Sequence, residues 1–471
     1  MLVFAVRLVE NTVPFRFLLV MIVAIRRNVN PQQIFLLNGC TRFPVFSARA
    51  VFACFRMRKT VTINAYLRGP DVSGSGRETY PYDGVPFPQA SAICHQQGAK
   101  RVQQRTTLPG LTIKGKRLPV PIVQGGMGVG VSLSPLASAV AAEGGLGIVS
   151  SACIDRLVSK RTGKKVDTYA AAYEEVSLAK AKGGFAGINI MCALGRDYEA
   201  SVRGALDAGA DAIISGAGLP LSLPGIQPVK DTALIPIVSS VRALELICKK
   251  WERFKYRPDA IVLEGPLAGG HLGFRLEQID LVENRLENLL PPVKEAAIRL
   301  GNIPVIVAGG IYTHEDIVRF LKMGADGVQM GTRFLATEES SASAEYKQSV
   351  VNCTEEDIVV AHDPGSPCGL PFRVIKQSPM YVSAQQHLRK PKCDKGYVLL
   401  KDNEGKYSRC PAKESNLHHF CICNGLLSSA GYNRDVEEPL YTVGTNANRI
   451  KRIVSVAELM GELTGKAVAT A

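Results

Sequence analysis

The chain has 471 residues, which allows two or three domains, or one barrel of about 250 residues with extensions. Its hydrophobic content of 46% and its 44 glycines suit an α/β protein with many tight turns. The net charge of +14 is concentrated in residues 11–70, which carry nine basic residues and no Asp or Glu, so nucleic-acid binding is not expected. The 12 cysteines are scattered, which indicates a reduced intracellular chain rather than a disulfide framework.

Residues 1–100 lack the pattern of the rest and predict an N-terminal extension that is disordered or transit-like. The apolar run Phe17–Ile25 is about half of the ~18 residues that a membrane span needs, so no stable span is predicted. The Arg-rich, acid-free composition is typical of an organellar transit peptide. An upstream extension with no folded role is the alternative. We expect a cytoplasmic protein, or an imported one if this segment is a transit peptide.

Eight apolar segments beyond Pro119 are predicted to be β-strands. Most are near-continuous apolar runs, as expected of strands that are buried on both faces. They are Val120–Gln124, Leu146–Ser150, Phe185–Met191, Asp211–Ser215, Leu234–Ser239, Asp259–Glu264, Ile303–Ala308 and Gly327–Met330.

Helical patterns separate most of these strands. They are Ser134–Glu143, Tyr169–Ala181, Arg196–Ala208, Val241–Trp251, Leu286–Arg299 and His314–Lys322, with Ala344–Asn352 after the last strand. A proline-containing loop, Gly218–Asp231, joins strands four and five instead. This βα order favours an α/β fold of the (β/α)8 TIM-barrel type over a doubly wound sheet. We place the barrel in residues 101–350 and a C-terminal, substrate-side extension that packs on it in residues 351–471.

The segment Gly265–Gly273, with the sequence G-P-L-A-G-G-H-L-G, follows the sixth predicted strand. Its glycine content predicts a loop rather than a helix or strand. The loop carries His271 at the C-terminal end of a barrel strand, where this fold keeps its chemistry. His271 is therefore our candidate catalytic group. A surface histidine beside a flexible turn is the alternative.

Glycine-rich turns also end other predicted strands. In a TIM barrel, a phosphate group frequently binds at the loops after strands seven and eight, where free backbone N–H groups meet an anion. Gly309 and Gly310 fall at the first of these places, and Gly331 and Thr332 at the second. The pair of turns predicts a phosphate site. Ordinary tight turns are the alternative.

The C-terminal segment contains Cys393, Cys410, Cys421 and Cys423. Their spacing, C-x16-C-x10-C-x-C, is not that of a zinc finger or a ferredoxin. We therefore predict ordinary free thiols and assign no metal ligands, with a metal or cluster site as the alternative.

With these pieces assembled, residues 117–350 resemble the nitronate monooxygenase (2-nitropropane dioxygenase) family and the related FMN-dependent enoyl-ACP reductases. The motifs that carry the resemblance are P-I-V-Q-G-G-M-G (121–128), G-I-N-I-M (187–191), S-G-A-G-L-P (215–220), E-G-P-L-A-G-G-H-L-G (264–273), V-I-V-A-G-G-I (305–311) and G-V-Q-M-G-T-R-F (327–334). One departure is Pro266-Leu267, where the relatives often carry Glu, Ser or Met.

The resemblance implies non-covalent FMN at the C-terminal ends of the strands and His271 as base or substrate-orienting group. It places Asn189 on the cofactor and the turns after strands seven and eight on its phosphate. The full set of implied cofactor residues is Gln124, Gly125, Gly126, Met127, Asn189, Gly269, Gly270, Gly309, Gly310, Gly331 and Thr332.

The implied reaction is the oxidation of a nitronate or nitroalkane by molecular oxygen to a carbonyl compound and nitrite. The alternatives are an NAD(P)H-dependent enoyl-thioester reductase, an NAD(P)H:flavin oxidoreductase, and a non-catalytic flavin or phosphate sensor. The expected partners are a small-molecule substrate and oxygen, without nucleic acid. A homodimer is one open possibility for the assembly.

Overall fold

The computed structural model describes residues 107–362, 366, 370–386, 400–401, 407–409, 421–432, 434–435 and 437–466. The predictions for residues 1–100, and those for Cys393 and Cys410, lie outside the described residues. Within the described part, no helix is both long and apolar enough to cross a bilayer.

Eight parallel strands close into a barrel in which each strand pairs with the next and the eighth pairs with the first. The predicted TIM-barrel class is confirmed, and each predicted strand lies within two residues of an observed one. In chain order the strands are Ile122–Gln124, Leu146–Ser150, Phe185–Met191, Ala212–Gly216, Ala233–Val238, Ile261–Glu264, Val305–Ala308 and Gly327–Met330.

Helices surround the barrel and follow most of its strands. They are Ser134–Ala142, Ile154–Thr162, Thr168–Lys180, Gly195–Asp207, Val241–Trp251, Leu286–Arg299, His314–Lys322, Thr332–Leu335, Ala344–Asn352, Pro379–Gln385, Ile422–Ser429 and Val456–Thr464. The sequence prediction missed Ile154–Thr162, which begins after Cys153 in a left-handed conformation. As predicted, no α-helix joins strands four and five; the connection contains the 3-10 turn Leu223–Gly225.

Shorter elements complete the described chain. The remaining strands are Leu111–Ile113, Lys116–Leu118, Gly270–His271, Ile358–Ala361, Phe372–Ile375, Leu400–Lys401 and Tyr407–Arg409. The remaining 3-10 turns are Glu252–Phe254, Leu276–Gln278, Val282–Asn284, Glu355–Asp357 and Ala447–Arg449.

Alternating residues of the strands fill the barrel lumen, as the two-residue period of a strand requires. In the sixth strand Val262 belongs to the lumen cluster, whereas Ile261 and Leu263 belong to the larger cluster between the barrel and its helices. The same alternation separates Val123 from Ile122 in the first strand. The alternation along each strand therefore decides which of its last residues faces the open C-terminal end of the lumen.

A β-hairpin closes the N-terminal end of the lumen. Leu111–Ile113 pairs antiparallel with Lys116–Leu118 across the two-residue turn Lys114–Gly115, in which both residues have positive φ. The apolar residues Leu111, Ile113 and Leu118 are buried in the lumen cluster. The hairpin thus acts as a plug that leaves the opposite end of the barrel for a ligand.

Asp211 joins this plug and the helix Thr168–Lys180 to the barrel wall through two ion pairs. Lys116 Nζ lies 2.8 Å from Asp211 Oδ1, and Lys180 Nζ lies 2.8 Å from Asp211 Oδ2. Burial opposes ionisation of Asp211, but the hydrogen bonds from Lys116, Lys180 and the Ala186 N–H outweigh it, so the pKa of this carboxyl is lowered. A carboxyl whose pKa is lowered by folding stabilises the fold while it is ionised.

We expect Asp211→Asn to lower the free energy of unfolding by about 1–3 kcal/mol at pH 7, the usual value of buried hydrogen bonds to a charged group. The stabilisation from Asp211 is fully present above its unfolded-state pKa and is lost as the pH falls through the lowered folded-state pKa. Urea unfolding of both proteins at pH 7 and at acid pH should therefore give a difference that shrinks on acidification.

The matched control is Glu295→Gln, which removes an exposed carboxylate from a 3.5 Å surface pair with Arg299. Its effect should stay within about 0.5 kcal/mol. Equal stability of Asp211→Asn and the wild type at pH 7 would contradict this role of Asp211.

Candidate functional site

A cavity of about 750 Å³ opens at the carboxyl ends of the barrel strands. Its size is in the range of pockets that hold cofactors and small substrates. Every residue that the sequence assigned to the site lines this cavity, except Gln124. Segments beyond the barrel also contribute to the wall, including Leu370, Phe372, Cys421–Cys423 and Thr442–Asn446.

Gln124 lies behind the wall rather than in it. It follows the lumen-facing Val123, so its fully buried side chain points away from the lumen. Its Oε1 accepts a hydrogen bond from the Ile148 N–H at 2.9 Å, and its Nε2 donates to Ser132 Oγ at 2.8 Å. In the structure Gln124 holds the turn that begins at Gly125, because Ser132 Oγ also accepts a hydrogen bond from the Met127 N–H at 3.0 Å.

The glycine turn after the first strand forms one side of the cavity. Gly126 packs against Asn189, and a Cβ at position 126 would lie 2.3 Å from the Asn189 Cβ. Any larger residue would therefore displace the turn or Asn189. Glycine at position 126 lets the backbone of this turn approach the floor of the cavity.

Three polar side chains rise from the lumen side into the cavity. Glu264 stands two residues beyond the lumen-facing Val262, and Asn189 stands four residues beyond Phe185, which packs on the lumen cluster. Gln329 stands two residues beyond Gly327, where a Cβ would meet Leu111 of the plug. Strand parity therefore gives the cavity a polar floor above an apolar lumen.

Gln329 leaves an unsatisfied polar atom on this floor. Its side chain is only 9% exposed, and its Oε1 is buried without a hydrogen-bond partner among the described residues. An unpaired buried carbonyl costs free energy. A ligand that presents an N–H or O–H group to the floor would satisfy this atom, and a flavin ring carries such a group.

The turns after the seventh and eighth strands lie on another side of the cavity. Gly309 and Gly310 have positive φ, and the backbone N–H groups of Gly310 and Gly331 donate to no other described residue. Thr332 Oγ1 accepts a hydrogen bond from the Gly444 N–H at 2.9 Å, which leaves its own hydroxyl proton available. The donor chemistry of this corner fits a phosphate group.

His271 is not in a loop, and that sequence prediction was wrong. Gly270–His271 forms a short strand that pairs antiparallel with Phe372 and Arg373, in a three-stranded sheet with Ile358–Ala361. The imidazole ring lies 5.9 Å from the Phe372 ring, and its Nε2 lies 3.2 Å from Ser366 Oγ. Pairing with a segment about 100 residues further along the chain therefore orients His271.

Arg373 fixes the backbone before His271. Its guanidinium donates hydrogen bonds to the carbonyl oxygens of Pro266, at 2.9 Å, and of Ala268. Arg373 is 4% exposed, and burial lowers its pKa to about 10. Sequence reasoning did not find this clamp, because nothing near Arg373 in the chain indicates which carbonyls it meets.

Glu264 is a site residue that the sequence analysis missed. It was read only as the last residue of an apolar strand, although its side chain lines the cavity. Burial raises the pKa of its carboxyl to about 7, and the charge of His271 partly offsets this effect. A carboxyl that titrates near neutral pH beside an imidazole is the kind of group that catalytic sites use.

Apolar side chains form the remaining wall. Val129 and Leu194 are buried there, and the helix Ile422–Ser429 adds Ile422 and Leu426. Cys153, Cys421 and Cys423 also line this side, as cysteines that form no disulfide. Within the described part of the chain, no three His, Cys, Asp or Glu side chains are grouped to hold a metal ion.

The comparisons with known proteins agree with the motifs. The family model described as nitronate monooxygenase matches residues 112–466, which include the barrel, the cavity and the C-terminal segments around it. The chain belongs to the nitronate monooxygenase family. The family resemblance predicted from the sequence is confirmed, and membership supports an oxidoreductase function.

The curated relatives match over about a quarter of their length, whereas two solved structures match over most of theirs. A probable nitronate monooxygenase of Staphylococcus aureus (strain JH9) is 39% identical over 105 residues, which cover 22% of this chain and 28% of that protein. FabK from Thermotoga maritima is 26% identical, with a TM-score of 0.54 over 74% of this chain and 92% of that chain. A nitroalkane oxidase from Streptomyces ansochromogenes, 21% identical, shares the fold with a TM-score of 0.53 over 74% and 96% of the two chains.

We expect Arg373→Met to loosen the short strand that carries His271, because two carbonyl oxygens lose a charged donor. Hydrogen exchange of the Leu272 amide, which donates to the Pro371 carbonyl at 2.9 Å, should accelerate about 10- to 100-fold. The control is Arg257→Met, an exposed arginine bonded to the Leu300 carbonyl, which should leave this amide unchanged. Unchanged exchange in Arg373→Met would show that the clamp is dispensable.

Proposed function

We propose that this protein uses FMN to oxidise nitronates and nitroalkanes with molecular oxygen, yielding a carbonyl compound and nitrite. Family membership supports the reaction type. The observation that carries the proposal is the composition of the cavity wall, in which a strand-held imidazole, His271, lies beside a floor with unpaired polar atoms. The imidazole suits proton transfer, and the unpaired atoms suit a bound cofactor.

The described cavity residues leave several hydrogen-bond donors and acceptors unsatisfied, and these groups would pair with the polar groups of FMN. Gly309, Gly310, Gly331 and Thr332 would hold the phosphate through backbone N–H groups and one hydroxyl. Asn189 and Gln329 would pair with the polar edge of the ring system. The backbone segments Gly125–Met127 and Gly269–Gly270 would complete the cofactor site.

Bound FMN would supply the redox chemistry, by accepting electrons from the nitronate and passing them to oxygen. The chain supplies proton transfer, orientation and exclusion of water. His271 would take the proton from the α-carbon of a neutral nitroalkane. Its short strand and Arg373 would keep the imidazole oriented while the proton moves. The apolar side of the cavity, with Leu194 and Leu426, would hold the alkyl groups.

A second candidate is NAD(P)H-dependent reduction of an enoyl thioester, or of a flavin. The apolar wall around Ile422 and Leu426 would accept an acyl chain. Against it, the only Lys or Arg among the described lining residues is Arg333, and its guanidinium lies 2.7 Å from Glu462. The described lining therefore offers no free cation for the phosphates of a carrier or dinucleotide. Stopped-flow measurements of flavin reduction in the absence of oxygen separate the two candidates. Rapid reduction by NADPH would support the reductase, and rapid reduction by nitronate would support nitronate oxidation.

We expect Gln329→Met to weaken FMN binding about 5- to 10-fold, the usual effect of losing one hydrogen bond. The apo protein should be as stable as the wild type or more stable, because the variant removes a buried unpaired carbonyl. Fluorescence titration with FMN and thermal unfolding of the apo proteins measure the two effects.

The matched control for this experiment is Gln348→Met, on an exposed helix face, which should leave FMN affinity unchanged. If Gln329→Met destabilises the apo protein and keeps full FMN affinity, Gln329 is a structural residue. Its assignment to the cofactor site would then be wrong.

We expect His271→Ala to lose about 10²–10⁴-fold in rate on a neutral nitroalkane, the usual contribution of a general base. Activity on the corresponding nitronate should fall far less, because that substrate arrives without the proton. Steady-state rates on both forms test this, with the exposed His362→Ala as control. Equal losses on both substrates would make His271 a group that orients the anion. Wild-type rates on both substrates would show that His271 is a structural residue.

A further inference from the structure

The cavity contains a single carboxylic acid, Glu264, among the described lining residues. Its carboxyl forms no hydrogen bond or ion pair with any other residue in the described part of the chain. Strand parity directs it into the floor of the cavity that His271 also lines. The charge state of Glu264 is therefore available to act on whatever the cavity holds.

Few other charges face Glu264. The charge that acts on it is that of His271. Arg333 lines the cavity but is paired with Glu462, and its guanidinium lies 4.3 Å from the Tyr312 ring centre. Arg373 is directed at backbone carbonyls of the His271 segment. No lysine or aspartate occurs among the described lining residues.

The two forms of the proposed substrate differ in charge. A nitronate is an anion, so an ionised carboxylate in a poorly screened cavity would repel it, whereas a protonated carboxyl would donate a hydrogen bond to its oxygens. A neutral nitroalkane is not repelled. When it is deprotonated, the C–H bond breaks, the proton moves to the imidazole of His271, and the electron pair forms the C=N bond of the nitronate. An ionised Glu264 would stabilise the resulting imidazolium.

We infer that Glu264 determines which form of the substrate this site accepts: ionised Glu264 favours the neutral nitroalkane, and protonated Glu264 favours the nitronate. The inference rests on the proposed function and deepens it. Because the carboxyl has a pKa of about 7, the preference changes within the physiological pH range. Glu264 acts here as a specificity-determining residue.

The first test compares kcat/KM for nitroethane and for ethylnitronate between pH 5.5 and 8.5, in the wild type and in Glu264→Gln. In the wild type, the nitronate-to-nitroalkane ratio should fall about 10- to 100-fold as the pH rises, as expected for one nearby unit charge. In Glu264→Gln the ratio should fall less than in the wild type and favour the nitronate at every pH. A constant ratio in the wild type, or the same fall in Glu264→Gln, would overturn the inference.

A binding experiment separates failure of this inference from failure of the proposed function. Isobutyrate has the planar anionic head of a nitronate, and isobutyramide is its neutral counterpart. By calorimetry on the FMN-loaded protein, the Kd of isobutyrate should rise at least 10-fold between pH 6 and 8 in the wild type and by a much smaller factor in Glu264→Gln. The Kd of isobutyramide should not change. If the binding constants change in this way but the protein turns over neither substrate, the proposed reaction is wrong and the selection of ligands by the charge of Glu264 is retained.

An infrared titration needs neither turnover nor a folded Glu264 variant. The C=O stretch of a protonated carboxylic acid should persist in the wild type to about pH 7, and its midpoint should move upward in His271→Gln. The upward shift follows because the charge of His271 lowers the pKa of Glu264. The absence of any carboxyl that titrates near neutral pH would overturn the inference.

Discussion

The site depends on backbone pairing between two segments that are distant in the chain. Gly270–His271 extends a sheet formed by Ile358–Ala361 and Phe372–Ile375, and this pairing converts a glycine-rich segment into an ordered strand. Without its partner the segment would retain the conformational freedom that glycine gives it. A residue that moves protons must be held in place while it works. The C-terminal part of the chain is therefore a component of the proposed catalytic site, and its contribution goes beyond covering the barrel.

Much of the barrel could be predicted because its signals are local. Strands buried on both faces are continuous apolar runs, and the turns that end them must contain glycine where φ is positive. The hairpin at Lys114–Gly115 was missed although a signal was present, since apolar and polar residues alternate on both sides of a two-residue turn. The helix Ile154–Thr162 is more polar on average, which weakened its apolar pattern.

The site was less predictable, because its contacts are not local. His271 was found from its position after a strand, but its own strand was not, since Phe372 and Arg373 lie about 100 residues away. The resemblance assigned Gln124 to the cofactor, but its side chain is absent from the cavity lining, because one residue of strand parity separates the lumen from the outer face. The same alternation, counted from Val262, puts Glu264 on the lumen side two residues later, at the end of the strand where the cavity opens.

The floor of the cavity links ligand binding to stability. Gln329 Oε1 is a buried acceptor without a partner among the described residues, and burial penalises the ionised form of Glu264. Both features cost free energy in a protein that holds no ligand. A ligand that satisfies these groups binds the folded chain and not the unfolded one, so it returns this free energy as thermal stability that increases with ligand concentration. The polar atoms that lower the stability of the ligand-free protein would therefore be the same atoms that select a cofactor and a substrate.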